Sequence, residues 1–324
     1  MRKYSNKHKS FTENLPLMDD FLLHIQANNY SKETLYNYER DLKTFSTFLK
    51  TEMSNPPFLE VNKKTIEQFK AYLNSNDRKT AEGDIAHVTL KSGSINRTLS
   101  SLRRYLSYLI DMDQKTPVAP GSIKLIRMEK PHSRVSEFKD LVRLIESPMK
   151  FESDKNIALR NRAMLETLFA SGMRISELIS LKCIQIDPSG KIFIQGKGKK
   201  QRFIYLTERA KKHIDNYLKI RDSDSPYLFI PIRGQNASKK DKSISANYLQ
   251  MKIKRYRELL GINVPTSAHS LRHGFATYLA EQGASPVAIQ ILLGHESLDT
   301  TTKYVHASDK YAEDTHKKFH PLKN

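Results

Sequence analysis

Cysteine is nearly absent: Cys183 is the single one in 324 residues. An internal disulfide and a cysteine-built zinc site are therefore excluded. Glycine and proline are sparse, at 12 and 13 residues, and no internal repeat or low-complexity tract interrupts an ordinary globular composition. No stretch approaches the ~18 consecutive apolar residues of a membrane-spanning helix, which excludes an integral helical membrane protein. The first residues, MRKYSNKHKSFTEN, are charged with no apolar run behind them, so no secretory signal is expected. A cytoplasmic protein that uses no thiolate metal chemistry is the expectation.

Acidic residues are in deficit, 35 against 54 lysines and arginines, and the formal charge is +19. A chain this basic, without a membrane segment, points to a polyanionic partner, above all nucleic acid. The parts on either side of residue 130 are both net positive, so such a partner could lie between two domains.

Hydrophobic periodicity predicts helices over 16–27, from a cap at Ser31 onward, over 63–73 and over 94–110. Leu35, Tyr38, Leu42, Phe45 and Leu49 make the stripe of the second, and Ile95, Leu99, Leu102, Leu106 and Leu109 that of the fourth. Arg97, Arg103 and Arg104 fall off the fourth stripe, which makes them candidate contacts to a DNA backbone or plain surface charges. Residues 75–93 read as a long connection. From 116 to 135 Pro117, Pro120, Gly121 and Pro131 alternate with Lys124, Arg127, Lys130 and Arg134, the composition of an extended basic linker. Three regions result: a helical domain over 1–115, the linker over 116–135, and a second domain over 136–324.

In the second domain, helices are expected over 138–147 (capped by Ser136), 156–170, 173–181, 208–220, 246–260, 271–282, 286–292, 300–305 and 308–318. Two β runs, 191–195 and 201–206, flank Gly196-Lys197-Gly198-Lys199-Lys200, a hairpin turn by composition. The fold class is mainly α with one small hairpin: a four-helix N-terminal domain and a mixed α+β C-terminal domain.

Four groups carry possible chemistry. Arg174 follows a Ser-Gly break and opens a helix. Lys197 sits in the Gly-flanked turn, where the backbone can approach a ligand closely. His269-Ser270-Leu271-Arg272-His273 begins another helix, and Gly294-His295 is followed by Lys303-Tyr304-Val305-His306. Each alone has an ordinary alternative. Arg174 could pair with Glu177 three residues on, Lys197 could be a solvated turn lysine, and Tyr304 is one of 15 tyrosines. His269 and His273, one helical turn apart, could share a metal with His295, but the glutamate of an H-E-x-x-H site is missing.

Together, Ser171-Gly172-Met173-Arg174-Ile175-Ser176-Glu177-Leu178, Gly196-Lys197-Gly198, His269 through His273, Leu293-Gly294-His295 and Tyr304 resemble, in order and spacing, the motifs of the tyrosine site-specific recombinases, the integrase family. Ala268 and Tyr205 stand where Xer-like members often have proline. The resemblance implies a SAM-like core-binding domain over the N-terminal helices and a catalytic domain after the linker. It implies Tyr304 as nucleophile, Arg174, Arg272 and His295 as donors to the phosphate, Lys197 as general acid and His269 as general base. Glu177 and His273 would support the site, and Lys199, Lys200 and Arg202 would join Arg97, Arg103 and Arg104 in binding DNA. No metal, ATP or other cofactor is implied. The implied partners are double-stranded DNA and further copies of the chain, four on two DNA sites, with a second recombinase or an accessory protein possible.

The short stretch before the first helix leaves no room for the arm-binding domain that phage integrases add, so Xer-like resolution of dimers is favoured. A mobile-element or phage integrase, a type IB topoisomerase and an inactive DNA-binding relative are the alternatives. A helix over 308–319 is expected to dock on a neighbouring protomer.

Overall fold

The computed structural model describes residues 14–81, 83–128, 136–195, 201–237 and 239–294. The chain divides into two compact units, Met1–Pro131 and His132–Asn324. Among the described residues no helix is long and apolar enough to cross a membrane.

The N-terminal unit contains α1 (Met18–Ala27), α2 (Lys32–Glu52), α3 (Lys63–Leu73) and α4 (Ser92–Asp111). The Ser31 hydroxyl accepts the Thr34 N–H and caps α2. Asn62 and Thr65 cap α3 reciprocally, each satisfying an N–H that the helix leaves over. The expected stripe of α4 is buried throughout, against Phe21 of α1, Leu42, Phe45 and Leu49 of α2, and Phe69 of α3. Phe45 and Phe69 meet edge-on at 4.8 Å, the arrangement that ring quadrupoles favour.

Part of the stretch expected as an extended linker is docked on the N-terminal unit. Val118 and Ile123, on either side of a single 3₁₀ turn at Pro120–Ser122, belong to the N-terminal core. The Asn96 side chain holds the Ile126 backbone through two 2.9 Å hydrogen bonds. Pro and Lys in this stretch shape a docked strap, because two of its apolar residues find the core of the helical unit.

The C-terminal unit runs α5 (Phe138–Glu146), α6 (Pro148–Phe151), α7 (Lys155–Ser171), α8 (Ile175–Ser180), β1 (Lys191–Gln195), β2 (Gln201–Tyr205), α9 (Glu208–Leu218), α10 (Ala246–Leu259), α11 (Ala268–Glu281) and α12 (Pro286–Leu293). Central to it is α7, packed by α6, α9 and α11 and buried on nearly every face. Ser136 does not cap α5; its hydroxyl bonds Thr266 at 2.7 Å, tying the start of the unit to the approach of α11. The one-turn α6 was unforeseen: Pro148 ends the reading of one helix and, at a first helical position, starts another.

The strands pair antiparallel, Ile192 opposite Ile204 and Ile194 opposite Arg202. Ile192, Ile194 and Ile204 face the core, while Phe193 and Phe203 meet at a tilt on the other face, ring centroids 5.4 Å apart. The two helices expected beyond Gly294 lie outside the described residues.

Candidate active site

Four helix ends meet at one place. Asp154 caps the start of α7, and Gly172 ends it in the left-handed conformation, φ +62°. A methyl group there would lie 2.4 Å from Cδ1 of Phe275, so glycine is required both for the turn and for the approach of α11. Two residues on, Arg174 is the N-cap of α8. Glu177, in the first turn of α8, accepts the Arg174 backbone N–H at 2.7 Å and its guanidinium Nη1 at 3.1 Å. The i, i+3 pair that a plain helix would make is therefore present, and it is part of a larger assembly.

Ser267 and Ser270 cap α11 reciprocally. This sets His269 in the first turn, exposed, and Arg272 one turn further in, 4% exposed. Arg272 donates from Nη1 to the Gly172 carbonyl at 2.7 Å and from Nη2 to the Leu293 carbonyl at 2.6 Å.

The fourth end is the C-terminus of α12. Its last carbonyls have no partner within the helix and carry the negative end of the helix dipole. Three consecutive ones are taken by three arginines from three different elements. Arg202 Nε donates to Leu292 at 3.0 Å, Arg272 to Leu293, and Arg174 Nη2 to Gly294 at 3.2 Å. Gly294 itself is left-handed, φ +62°.

Between Arg174 and Arg202 lies Glu177, buried. Burial by itself would raise its carboxyl, but hydrogen bonds from Arg202 and from the Arg174 backbone, with the charges of both arginines, hold it below the ordinary glutamate value. Among the described residues, three guanidiniums stand beside the one carboxylate of Glu177, at an edge where Arg174 is 37% exposed. Arginine stays ionised at every working pH, so this edge attracts an oxyanion without a proton being moved.

His269 and His273 face each other Nε2 to Nε2 at 2.8 Å. Although the residue is exposed, partial desolvation of its ring first, then the charges of Arg272 and Arg174, lower the His269 pKa below the ordinary histidine value. A neutral imidazole beside fixed cations suits proton acceptance. Among the described residues no group of three His, Cys, Asp or Glu side chains could hold a metal ion.

The site thus unites Arg174, Glu177, Arg272, His269 and His273 with Arg202. Arg202 is not a DNA-facing arm: its side chain is 7% exposed and its guanidinium is committed to Glu177 and Leu292. The signal was in the sequence, since period 2 in β2 puts Arg202 on the same face as the buried Ile204 and Leu206. Lys197, Lys199, Lys200, His295 and Tyr304 lie outside the described residues. In the N-terminal unit Arg97 Nη1 bonds the buried carboxylate of Asp41 at 2.5 Å, Arg103 Nε donates to the Pro120 carbonyl at 3.2 Å, and Arg104 is half-buried.

Residues 135–311 match the family model described as "Phage integrase family", and residues 18–112 match "Phage integrase, N-terminal SAM-like domain". The chain belongs to the phage integrase family. It is a tyrosine recombinase, of a family that breaks and rejoins DNA strands. Two curated relatives carry the name tyrosine recombinase XerC. The one from Pelobacter propionicus is 32% identical over 317 residues, covering 94% of this chain and 96% of its own. The one from Thermodesulfovibrio yellowstonii is 30% identical over 318 residues, covering 94% and 95%. Among solved structures, XerH bound to its difH substrate before cleavage aligns with a TM-score of 0.67 at 21% identity, covering 91% of the recombinase and 82% of that chain. A lambda integrase dimer bound to a COC' core site gives 0.65 at 17%, covering 89% and 75%. These last two establish the fold of the recombinase.

Proposed function

We propose that the recombinase catalyses Xer-like site-specific recombination of double-stranded DNA through a 3′-phosphotyrosyl intermediate. The observation that carries the reading is the convergence of Arg174 and Arg272 on the end of α12, directly before His295. The phenol oxygen of Tyr304 attacks the scissile phosphorus and its proton passes to His269. The bond from phosphorus to the 5′ oxygen breaks, and Lys197 protonates the leaving oxygen. Arg174, Arg272 and His295 donate hydrogen bonds to the non-bridging oxygens, whose charge grows in the transition state. Rejoining is the reverse, with a 5′-hydroxyl from another strand as nucleophile. The phosphotyrosyl bond conserves the energy of the broken diester, so exchange draws on no nucleotide.

Four protomers on two DNA sites, exchanging strands in pairs, fit this chemistry, and resolution of DNA dimers is the outcome the relatedness to the XerC proteins favours. A second recombinase or an accessory protein would set the order of exchange. Lys199, Lys200, Arg103 and Arg104 are assigned to the DNA backbone.

The deciding experiment is a nicked suicide substrate. The wild-type protein forms a covalent adduct with DNA, and Tyr304→Phe binds the substrate but forms none. An adduct that persists in Tyr304→Phe, mapped to another tyrosine, would falsify the assignment.

A further inference from the structure

We propose that Arg202 is a positioning residue of the cleavage site, one that sets the plane of the Arg174 guanidinium through Glu177 and keeps it in register with the end of α12. The proposal rests on the reading of Arg174 as a phosphate donor.

Arg202 enters from β2, the strand that follows the Lys197 turn. Its two terminal nitrogens meet the two oxygens of Glu177 at 2.9 and 2.8 Å, a parallel fork that only a guanidinium can make with a carboxylate. Its Nε is spent on the Leu292 carbonyl at 3.0 Å. The stem lies against the open face of Gly294, where a methyl group would come 2.9 Å from Arg202 Cδ and 3.2 Å from Nε. The opposite side of Glu177 holds the backbone N–H and Nη1 of Arg174, and Nη2 of Arg174 returns to the Gly294 carbonyl. The contacts form a closed ring: Arg202, Glu177, Arg174, the last turn of α12, and Arg202 again.

Removing Arg202 opens this ring at two points. Glu177 then has Arg174 as its remaining strong partner and turns toward it, drawing the guanidinium from the phosphate. The end of α12 loses the contact at Leu292 that keeps Gly294 under Arg174. Lysine cannot substitute, because a single ammonium reaches one oxygen and has no planar fork. A misplacement of about 1 Å at a reacting centre is enough to cost roughly a hundredfold in rate. The same geometry removes Arg202 from the DNA surface, so its loss leaves phosphate binding almost unchanged.

Arg202→Lys and Arg202→Ala are compared with wild type in single-turnover cleavage, in half-site binding across a salt series, and in thermal melting. The expected result is a folded Arg202→Lys that cleaves about 10–100-fold more slowly, with half-site affinity within about threefold of wild type and an unchanged salt slope. The loss should persist on a 5′-bridging phosphorothiolate, whose sulfur leaves without a proton. In the same assay Arg174→Ala should stay slow and Lys197→Ala should recover.

Four results would overturn the proposal. They are cleavage within about twofold of wild type in both folded variants, or a loss of affinity with a salt slope lower by about one, which marks a phosphate contact. The others are recovery of the Arg202 variants on the phosphorothiolate, which places the effect in the Lys197 turn, or the unfolding of both variants at assay temperature, which makes the role one of stability. Wild-type cleavage by Arg174→Ala would instead remove the donor reading itself.

Discussion

His269 and His273 share one hydrogen bond between like nitrogens, Nε2 to Nε2 at 2.8 Å, across a single turn of α11. One nitrogen must carry the hydrogen and the other accept it, so the bond exists only while at least one ring is neutral. Arg272 and Arg174 stand close enough to lower the His269 pKa further once partial desolvation has done so. The expected pH profile of adduct formation follows from that sign. Protonation of His269 removes the base, and a lowered pKa delays protonation until the pH is below the ordinary histidine value of ~6.5. The rate should therefore be flat through neutral pH and fall on an acid limb with its midpoint below that value. His269→Gln should abolish the limb and slow the plateau. A wild-type midpoint above the ordinary value contradicts the assignment of His269 as base.

Glu177→Gln keeps the shape of the side chain and removes its charge. It leaves Arg202, 7% exposed, without a counter-ion, a change that costs about 3 kcal/mol or more at buried pairs. Chemical denaturation at neutral pH should register that loss. Because the folded-state pKa of Glu177 lies below the ordinary value, its contribution is fully present above the ordinary carboxylate range and disappears as the pH falls through the lowered value. The stability gap between wild type and Glu177→Gln should therefore close in acid. A gap that widens in acid would reverse the sign assigned here.

Gly172→Ala faces two penalties, a left-handed backbone at φ +62° and a contact 2.4 Å from Phe275. Left-handed strain costs about 1 kcal/mol and overpacking about 1–3 kcal/mol more. The Gly172 carbonyl also accepts Arg272, so cleavage should fall together with the melting temperature. Gly234→Ala is the control, since φ is +90° there and nothing lies within 4 Å of the added carbon; it should carry the backbone penalty and leave cleavage intact. Equal melting temperatures for the two variants would show that Phe275 yields.

Arg97→Ala should act on stability before DNA. Asp41 is 3% exposed and accepts Arg97, with Ser101 at 2.8 Å as a further donor. Taking the arginine away leaves a buried carboxylate short of a partner, worth about 2 kcal/mol. Arg104→Ala should change half-site binding and its salt dependence with little change in melting. If Arg97→Ala melts like wild type and lowers the salt slope instead, its main role is at the phosphate backbone.

The helices were legible because their stripes are long: α2 and α4 carry five apolar positions at helical spacing, and every one in α4 is buried. That Arg174, Arg272 and His269 belong to one cluster was legible through motif order, because residue type and sequence spacing are what those motifs encode. The carbonyl partners were not, since Leu292, Leu293 and Gly294 offer only backbone oxygens, which leave no mark in a sequence. Arg202 was misread because a run of basic residues through Lys199 and Lys200 outweighed the alternation that turns its side chain inward. Residues 116–126 were misread for a similar reason: Val118 and Ile123 are too few to make a periodic signal, although two buried side chains suffice to dock a strap.

The anchoring of three successive carbonyls at the end of α12 fixes Gly294 as the origin from which the distance along the chain to Tyr304 is counted. About ten residues run from Gly294 to Tyr304, a span of at most ~35 Å when fully extended. On the proposed mechanism, contour length then sets the outer limit of where the Tyr304 phenol can strike, counted from a point that Arg174 and Arg272 also hold. Inserting or deleting residues between 296 and 302 would change that reach while leaving the arginine cluster untouched. Cut position and phosphate recognition are in this sense separable variables, and the length of one short segment is a handle on the first.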